Sequence, residues 1–151
     1  MTLVMFQRGV ENENVARQLY TNVMSTKHDN FTCNLTGLWV SPLYPHLGAS
    51  PDGVTACGCH GDGLVEIKCP FSARHANSLS SQTCGFLTEA GFLDRKHHYY
   101  TQVQGQLMIT GRLFCDFFIW TPLVHKVERI YPDVRFWETL EKKLTSFFVT
   151  T

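Results

Sequence analysis

Neither charge sign is in excess in this 151-residue sequence: thirteen lysines and arginines balance thirteen aspartates and glutamates. Global charge therefore indicates no polyanionic partner, and any contact with nucleic acid has to rest on a local site. No apolar run reaches the ~18 residues a membrane span needs, and the opening MTLVMFQRG is too short for the apolar core of a signal peptide. The expectation is an intracellular protein with no membrane partner, nucleus and cytoplasm not being distinguished. Repeats and low-complexity tracts are absent too. Six cysteines are present, but a chain of this length and apolarity has no need of a disulfide scaffold. The glycosylation patterns Asn30-Phe31-Thr32 and Asn34-Leu35-Thr36 are read as chance matches, given no signal peptide.

What the chain does have is a 44% apolar and 13% aromatic composition, which argues against disorder. A chain of this length buries roughly two-thirds of its unfolded surface, enough for one core. Residues Glu11–Met24 read as a helix, with Val15, Ala16, Leu19, Tyr20, Val23 and Met24 on one arc. A turn-rich stretch leads to expected strands at Leu38–Val40, Leu47–Ser50 and Leu64–Cys69, with the Pro51-Asp52-Gly53 turn between the last two. Ser72–Ala90 is expected to form a helix with a serine-rich linker. His97–Thr110 reads as a helix with Tyr100, Val103 and Leu107 stacked on one side. LFCDFFIW (113–120) and VHKVERIY (124–131) read as an antiparallel pair. Asp133 is placed to cap a last helix carrying Phe136, Trp137, Leu140, Leu144, Phe147 and Phe148. The order is that of a mixed α/β protein.

The informative stretch is LGASPDG–VTACGCHGDG–LVEIKCP (47–70). A Glu-x-Lys pair inside an apolar strand costs free energy unless something compensates it. Side chains alternate along a strand, so Glu66 and Lys68 share a face, while Val65, Ile67 and Cys69 point into the presumed core. Hairpin geometry can bring Asp52 beside Glu66. Two converging carboxylates make an oxygen-ligand site for Mg²⁺, with Mn²⁺ as a substitute and the backbone carbonyl of Ile67 as a further oxygen. A lysine there orients or deprotonates a water and neutralises charge on phosphate. The alternative is a plain ion pair on a solvated face, with Asp52 a turn residue.

Two further positions stand out. Glu13 falls within the arc of Ala16, Tyr20 and Val23, so a carboxylate sits on an apolar face; as a helix-start acid it has an ordinary explanation too. Gln102 and Gln106 lie four apart beside the Tyr100–Val103–Leu107 stripe, where glutamines are usually just solvated. Cys57, Cys59 and His60 match the beginning of a zinc site, but a closed structural site needs four ligands. Cys69 and Cys33 are the available fourth ligands, neither at characteristic spacing, and a reduced hairpin loop is the default. Arg74, Arg95, Lys96 and Arg112 lie between and beside these motifs without marking a surface.

At these residues the sequence resembles the YqaJ-type viral recombinase, or bacteriophage lambda exonuclease, family of the PD-(D/E)xK nuclease superfamily. The matching words are Ser50-Pro51-Asp52-Gly53, Glu66-Ile67-Lys68-Cys69-Pro70-Phe71 and Tyr100-Thr101-Gln102-Val103-Gln104, preceded by Gly9 and Glu13-Asn14-Val15-Ala16-Arg17. The resemblance implies a restriction-endonuclease-like α/β core, a mixed β-sheet flanked by helices, over a single domain spanning 1–151 that lacks the family's N-terminal segment. It implies a Mg²⁺-dependent deoxyribonuclease acting on duplex DNA with free ends, an exonuclease of 5′-to-3′ polarity working in recombination as a ring-shaped trimer. Asp52, Glu66 and the Ile67 carbonyl would hold the metal and Lys68 would assist the water. Glu13 would hold a water or complete the metal shell, and Gln102 would contact the water or the scissile phosphate, Gln104 being the weaker choice. The alternative is a DNA-binding module with the same fold and little or no turnover.

Overall fold

The computed structural model describes residues 2–40 and 48–149, with side chains described over 11–40 and 48–143. Helix α1 (Thr2–Ser25) includes the expected Glu11–Met24 segment and begins earlier. Ala16, Tyr20 and Met24, spaced at four residues, form its buried stripe. Two short strands follow, β1 (Thr32–Asn34) and β2 (Trp39–Val40), then β3 (Gly48–Ala49), β4 (Gly53–Cys57) and β5 (Gly61–Lys68). A 3₁₀ turn at Phe71–Ala73 leads through irregular chain to α2 (His98–Thr110). Strands β6 (Cys115–Trp120) and β7 (His125–Ile130) and helix α3 (Val134–Val149) complete the described chain.

Five strands form one sheet in the order β1-β4-β5-β6-β7, and β2 pairs with β3 apart from it. Among the described strands only β5 and β6 run parallel, with Glu66 opposite Phe117 and Lys68 opposite Ile119. A parallel neighbour needs a long crossover, which the 69–114 excursion through α2 provides. Strand β5 thus has helices over both faces. On one side Val65 and Ile67 pack with Phe118 against Ala16, Tyr20 and Met24 of α1. On the other, Leu64 packs with Phe117 and Ile119 against Tyr100, Val103 and Leu107 of α2. The face that carries Glu66 and Lys68 is covered, and Glu66 is buried.

Two local expectations need correction. Asp52 does not reach Glu66 through a Leu47–Ser50 strand; Gly48–Ala49 pairs with β2, and Leu47 lies outside the described residues. The partner is β4, which starts at Gly53 and pairs Gly53 with Val65 and Cys57 with Gly61. Its Gly-Val-Thr-Ala-Cys sequence is too short and too lightly apolar to announce a strand, and β1 escapes notice for the same reason. Ser72–Ala90 is not helical beyond the 3₁₀ turn. There the hydroxyls take over the backbone: Thr83 Oγ1 accepts from Ser80 N at 3.0 Å, and Ser80 Oγ accepts from Gln82 N at 3.3 Å. Such bonds compete with helix formation.

The remaining boundaries follow local chemistry. His97 caps α2 by accepting from Tyr99 N at 3.1 Å, and Gly111 closes it in the left-handed region at φ 69°. Asp133 caps α3 as expected, Oδ1 accepting from Phe136 N at 3.1 Å, while Tyr100 Oη donates to Oδ2 at 2.8 Å. The side chains of Leu144, Phe147 and Phe148 lie outside those described. Beneath the sheet, fully buried Asp116 accepts from Arg129 Nε at 2.8 Å and Nη2 at 3.1 Å, and from Tyr20 Oη. This triad ties β6, β7 and α1 together.

Gly63 of β5 is needed for its small size. A Cβ there would lie 2.2 Å from the ring of buried Phe114. Gly63→Ala is therefore expected to cost about 1–3 kcal/mol through overpacking, read as a lower urea midpoint with an unchanged slope.

Candidate active site

The end of β5 sits where α1, α2 and the start of β4 meet. One step beyond the Gly53–Val65 pair, Asp52 faces the position of Glu66. Asp52 Oδ2 accepts from Ile67 N at 2.7 Å, which fixes the carboxylate at the strand terminus. Glu66 Oε2 accepts from Gln106 Nε2 of α2 at 2.9 Å, and Oε1 lies 3.2 Å from Lys68 Nζ. Lys68 Nζ in turn donates to Gln102 Oε1 at 3.2 Å and lies 3.9 Å from the ring centroid of Tyr99. The ammonium is thus held by a carboxylate, an amide oxygen and an aromatic face, with the side chain only 18% exposed.

Helix α1 closes the other side. Arg17 Nη2 reaches Glu13 Oε1 at 2.9 Å, and Arg17 Nε donates to the Asp52 carbonyl at 2.9 Å. One guanidinium therefore bridges the helix to the turn that carries Asp52. Burial raises the pKa of Glu13, and its hydrogen bond and repulsion with Asp52 raise it further against the pull of Arg17. Burial also raises Asp52, helped by the charge of Glu66; the Ile67 amide, the bond from Glu13 and Lys68 act the other way. The interaction with Asp52 raises Glu13, while the interaction with Glu13 lowers Asp52. Beside them, burial and then the charges of Glu13 and Asp52 push the Cys69 thiol up to about 11.

Three buried or half-buried carboxyls against one lysine and one arginine make an environment short of positive charge. That is the condition a divalent cation relieves, and Asp52 and Glu66 supply the hard oxygens it prefers. The amide oxygen of Gln106 adds a buried polar atom without a hydrogen-bond partner. The residues fit a Mg²⁺-type ion.

Sequence reasoning placed Asp52, Glu66, Lys68, Glu13 and Gln102 as candidates, and the structure brings all five to this one place. Gln104 does point elsewhere: fully buried, it donates to Tyr131 O at 2.9 Å and accepts from Asp133 N at 2.7 Å, tying α2 to the start of α3. Three participants were missed. Gln106 had been seen on the flank with Gln102, and its four-residue spacing was the signal. Arg17 stands four residues after Glu13, a spacing that favours an ion pair on a helix. Tyr99 had no signal beyond its place one turn before Gln102. Of the basic residues beside the motifs, Arg95 lies 3.7 Å from Asp133 and Arg112 lies 3.1 Å from Asp62.

A cleft of about 300 Å³ opens beside the site between β3 and α2, lined by Ser50, Thr101, Gln102, Gln106 and Trp137. A larger one of about 890 Å³, by Arg95, Tyr100, Arg129 and Arg135, lies away from the carboxylates. The first is the relevant one, because Gln102 and Gln106 contact Lys68 and Glu66 directly. Among the described residues no helix is long and apolar enough to cross a membrane.

The YqaJ-like viral recombinase domain model matches residues 4–113, which contain all five candidates. Two solved structures of the alkaline exonuclease from Laribacter hongkongensis, the second in complex with dAMP, are similar at 29% sequence identity with TM-scores of 0.70 and 0.71. The matches cover 96% and 95% of this chain and 67% and 66% of theirs, so this chain spans about two thirds of the exonuclease's length. No curated protein shows significant sequence similarity to it.

Proposed function

Because the chain belongs to the YqaJ-like viral recombinase domain family, we propose that it is a deoxyribonuclease that hydrolyses DNA phosphodiester bonds with Mg²⁺, Mn²⁺ substituting. The observation that carries this reading is the convergence of Asp52, Glu66 and Lys68 at the end of β5, each held by a separate hydrogen bond. Asp52, Glu66 and the Ile67 carbonyl are the oxygens for the cation, which when bound supplies Lewis-acid polarisation of the phosphate.

The chain's own residues account for the rest. Lys68, its ammonium pinned against Glu66 and Gln102, orients the attacking water and balances the charge that develops on phosphate. Gln106 holds Glu66 in place. Gln102 both positions the ammonium and faces the cleft, where it can reach water or the scissile phosphate. Glu13, its position set by Arg17, is the supporting carboxyl beside Asp52. In-line attack on phosphorus leaves a 5′-phosphate product. The likeness to an alkaline exonuclease favours digestion from duplex ends, and the family resemblance favours 5′-to-3′ polarity and a trimer.

The test is digestion of linear duplex DNA, with and without a 5′-phosphate, by the wild type and Lys68→Ala in Mg²⁺ and Mn²⁺. Metal-dependent loss of DNA in the wild type, reduced about 10²–10⁴-fold in the variant, is the expected result. Faster loss of the 5′-phosphorylated substrate supports end recognition. No loss with either metal overturns the nuclease reading and leaves a DNA-binding module.

A further inference from the structure

Away from the carboxylates, at the opposite end of the β4–β5 hairpin, four soft donors meet. Cys57 ends β4, Cys59 and His60 lie in the loop, and His28 comes from the turn after α1; their donor atoms lie within 4.8 Å of one another. Sequence spacing had offered Cys33 or Cys69 as a fourth ligand. Neither joins the group; β1 holds Cys33 opposite Thr55, and Cys69 lies beside Glu13 and Asp52.

We propose that His28, Cys57, Cys59 and His60 form a structural zinc site that staples the C-terminal end of α1 to the β4–β5 loop. The geometry carries it. With Zn–S near 2.3 Å and Zn–N near 2.05 Å, a tetrahedral site has edges of about 3.8 Å (S–S), about 3.5 Å (S–N) and about 3.3 Å (N–N). Here Cys57 Sγ and Cys59 Sγ are 3.5 Å apart. Cys59 Sγ lies 3.3 Å from His28 Nδ1 and 3.2 Å from His60 Nδ1, and the two Nδ1 atoms are 3.0 Å apart. These four edges are within a few tenths of an ångström of the tetrahedral values, and the two from Cys57 Sγ to the histidines lie within 4.8 Å.

Hydrogen bonding explains this arrangement less well. An imidazole nitrogen carries at most one hydrogen and a thiol one, in a single direction each. Such groups chain from one to the next; here they converge on a common point. The two imidazole rings stand at 82° to each other, so their Nδ1 lone pairs can meet without the rings clashing. The surrounding backbone also suits ligation, since His60 N donates to Cys57 Sγ at 3.2 Å, a contact that supports thiolate. Gly58 N donates to Asp29 O at 2.8 Å and holds the loop to the turn that carries His28. The donor set is soft and four-coordinate, the pattern of a closed structural zinc site and not that of a Mg²⁺ site.

The experiment is elemental analysis of the full chain purified without chelator, then Co²⁺ replacement followed by visible absorption. The expected results are one bound zinc per chain, the intense visible bands of tetrahedral cobalt with sulfur-to-cobalt charge transfer, and a fall in melting temperature on chelation. Cys59→Ser and His28→Ala should each lose the zinc and the cobalt spectrum, whereas Cys33→Ser, Cys69→Ser and Asp52→Asn should keep both. If Cys59→Ser does not fold, His60→Ala serves in its place. No zinc after incubation with an equimolar amount overturns the proposal, as does a Cys57–Cys59 disulfide in the purified chain or zinc retained by the ligand variants. DNA cleavage is not part of the readout, so failure here and failure of the nuclease reading are separately visible.

Discussion

Asp52→Asn is expected to lower metal-dependent DNA cleavage by at least about 10³-fold, the loss of roughly 4 kcal/mol of transition-state stabilisation, while leaving the protein folded. The asparagine oxygen can still accept from the Ile67 amide, which is what seats the side chain. The same change should make the metal-free protein more resistant to heat at neutral pH. Glu13 and Asp52 both have pKa values raised in the folded state. A carboxyl of that kind stabilises the fold fully below its unfolded pKa, and the contribution disappears as pH rises through the folded value. The metal-free wild type therefore loses stability from about pH 4 upward, and Asp52→Asn loses less of it. A divalent cation reverses the loss and displaces protons as it binds, so apparent affinity falls as pH falls. Melting temperatures with and without Mg²⁺ across this range check the sign. Calorimetric titration in two buffers of different ionisation enthalpy counts the protons. Full cleavage by Asp52→Asn, or a Mg²⁺-induced stabilisation equal to that of the wild type, would sink the assignment of Asp52.

The largest effect on stability is expected at Asp116, distant from the chemistry. Asp116→Ala should cost about 3–5 kcal/mol, because removing one partner of a buried pair strands the other. Arg129 would lose two hydrogen bonds and Tyr20 its acceptor. Burial, together with the charge of Asp116, drives the Tyr20 hydroxyl far above the ordinary tyrosine range. Arg129 would keep only its stacking on Phe114, with the guanidinium carbon 3.7 Å from the ring centroid. Replacing all three, by Asp116→Leu, Arg129→Met and Tyr20→Phe, should recover most of the loss, since apolar groups of similar volume can substitute for a buried ionic triad. Urea unfolding of the single and triple variants decides. A single-variant loss below about 1 kcal/mol would mean water or a shifted side chain satisfies Arg129.

Which parts of this structure could be read beforehand follows from the range of the forces involved. Helices α1 and α2, strands β5 to β7 and the cap at Asp133 declare themselves because their apolar periods and capping side chains act within a few residues. Glu66 and Lys68 share a face for the same reason, two positions apart on a strand. Asp52 was legible only as a possibility, and the strand that delivers it was not; β4 gains its stability from β1 and β5, not from its own residues. The irregular chain after Phe71 was misread as helix because serine and threonine rank tolerably as helix formers while their hydroxyls bond locally here. Gln106 and Arg17 were within reach, at helical spacing from residues already singled out. His28 was out of reach, since it meets Cys59 and His60 at sequence separations of 31 and 32. Contacts of that separation are decided by how α1 lies on the sheet.

That placement of α1 has a mechanical consequence. The helix is fastened to one hairpin at two stations, through Arg17 and Glu13 at the Asp52 turn and through His28 at the loop between β4 and β5. A rod pinned at one point can roll or slide; pinned at two it can do neither without breaking a fastening. A roll of α1 by a single residue, about 100°, would swing Glu13 out of reach of Asp52. On the proposed reading the remote cluster is the far bearing of the carboxylate end: loosening it should leave every side chain of that end in place in sequence and yet blur the distances between them.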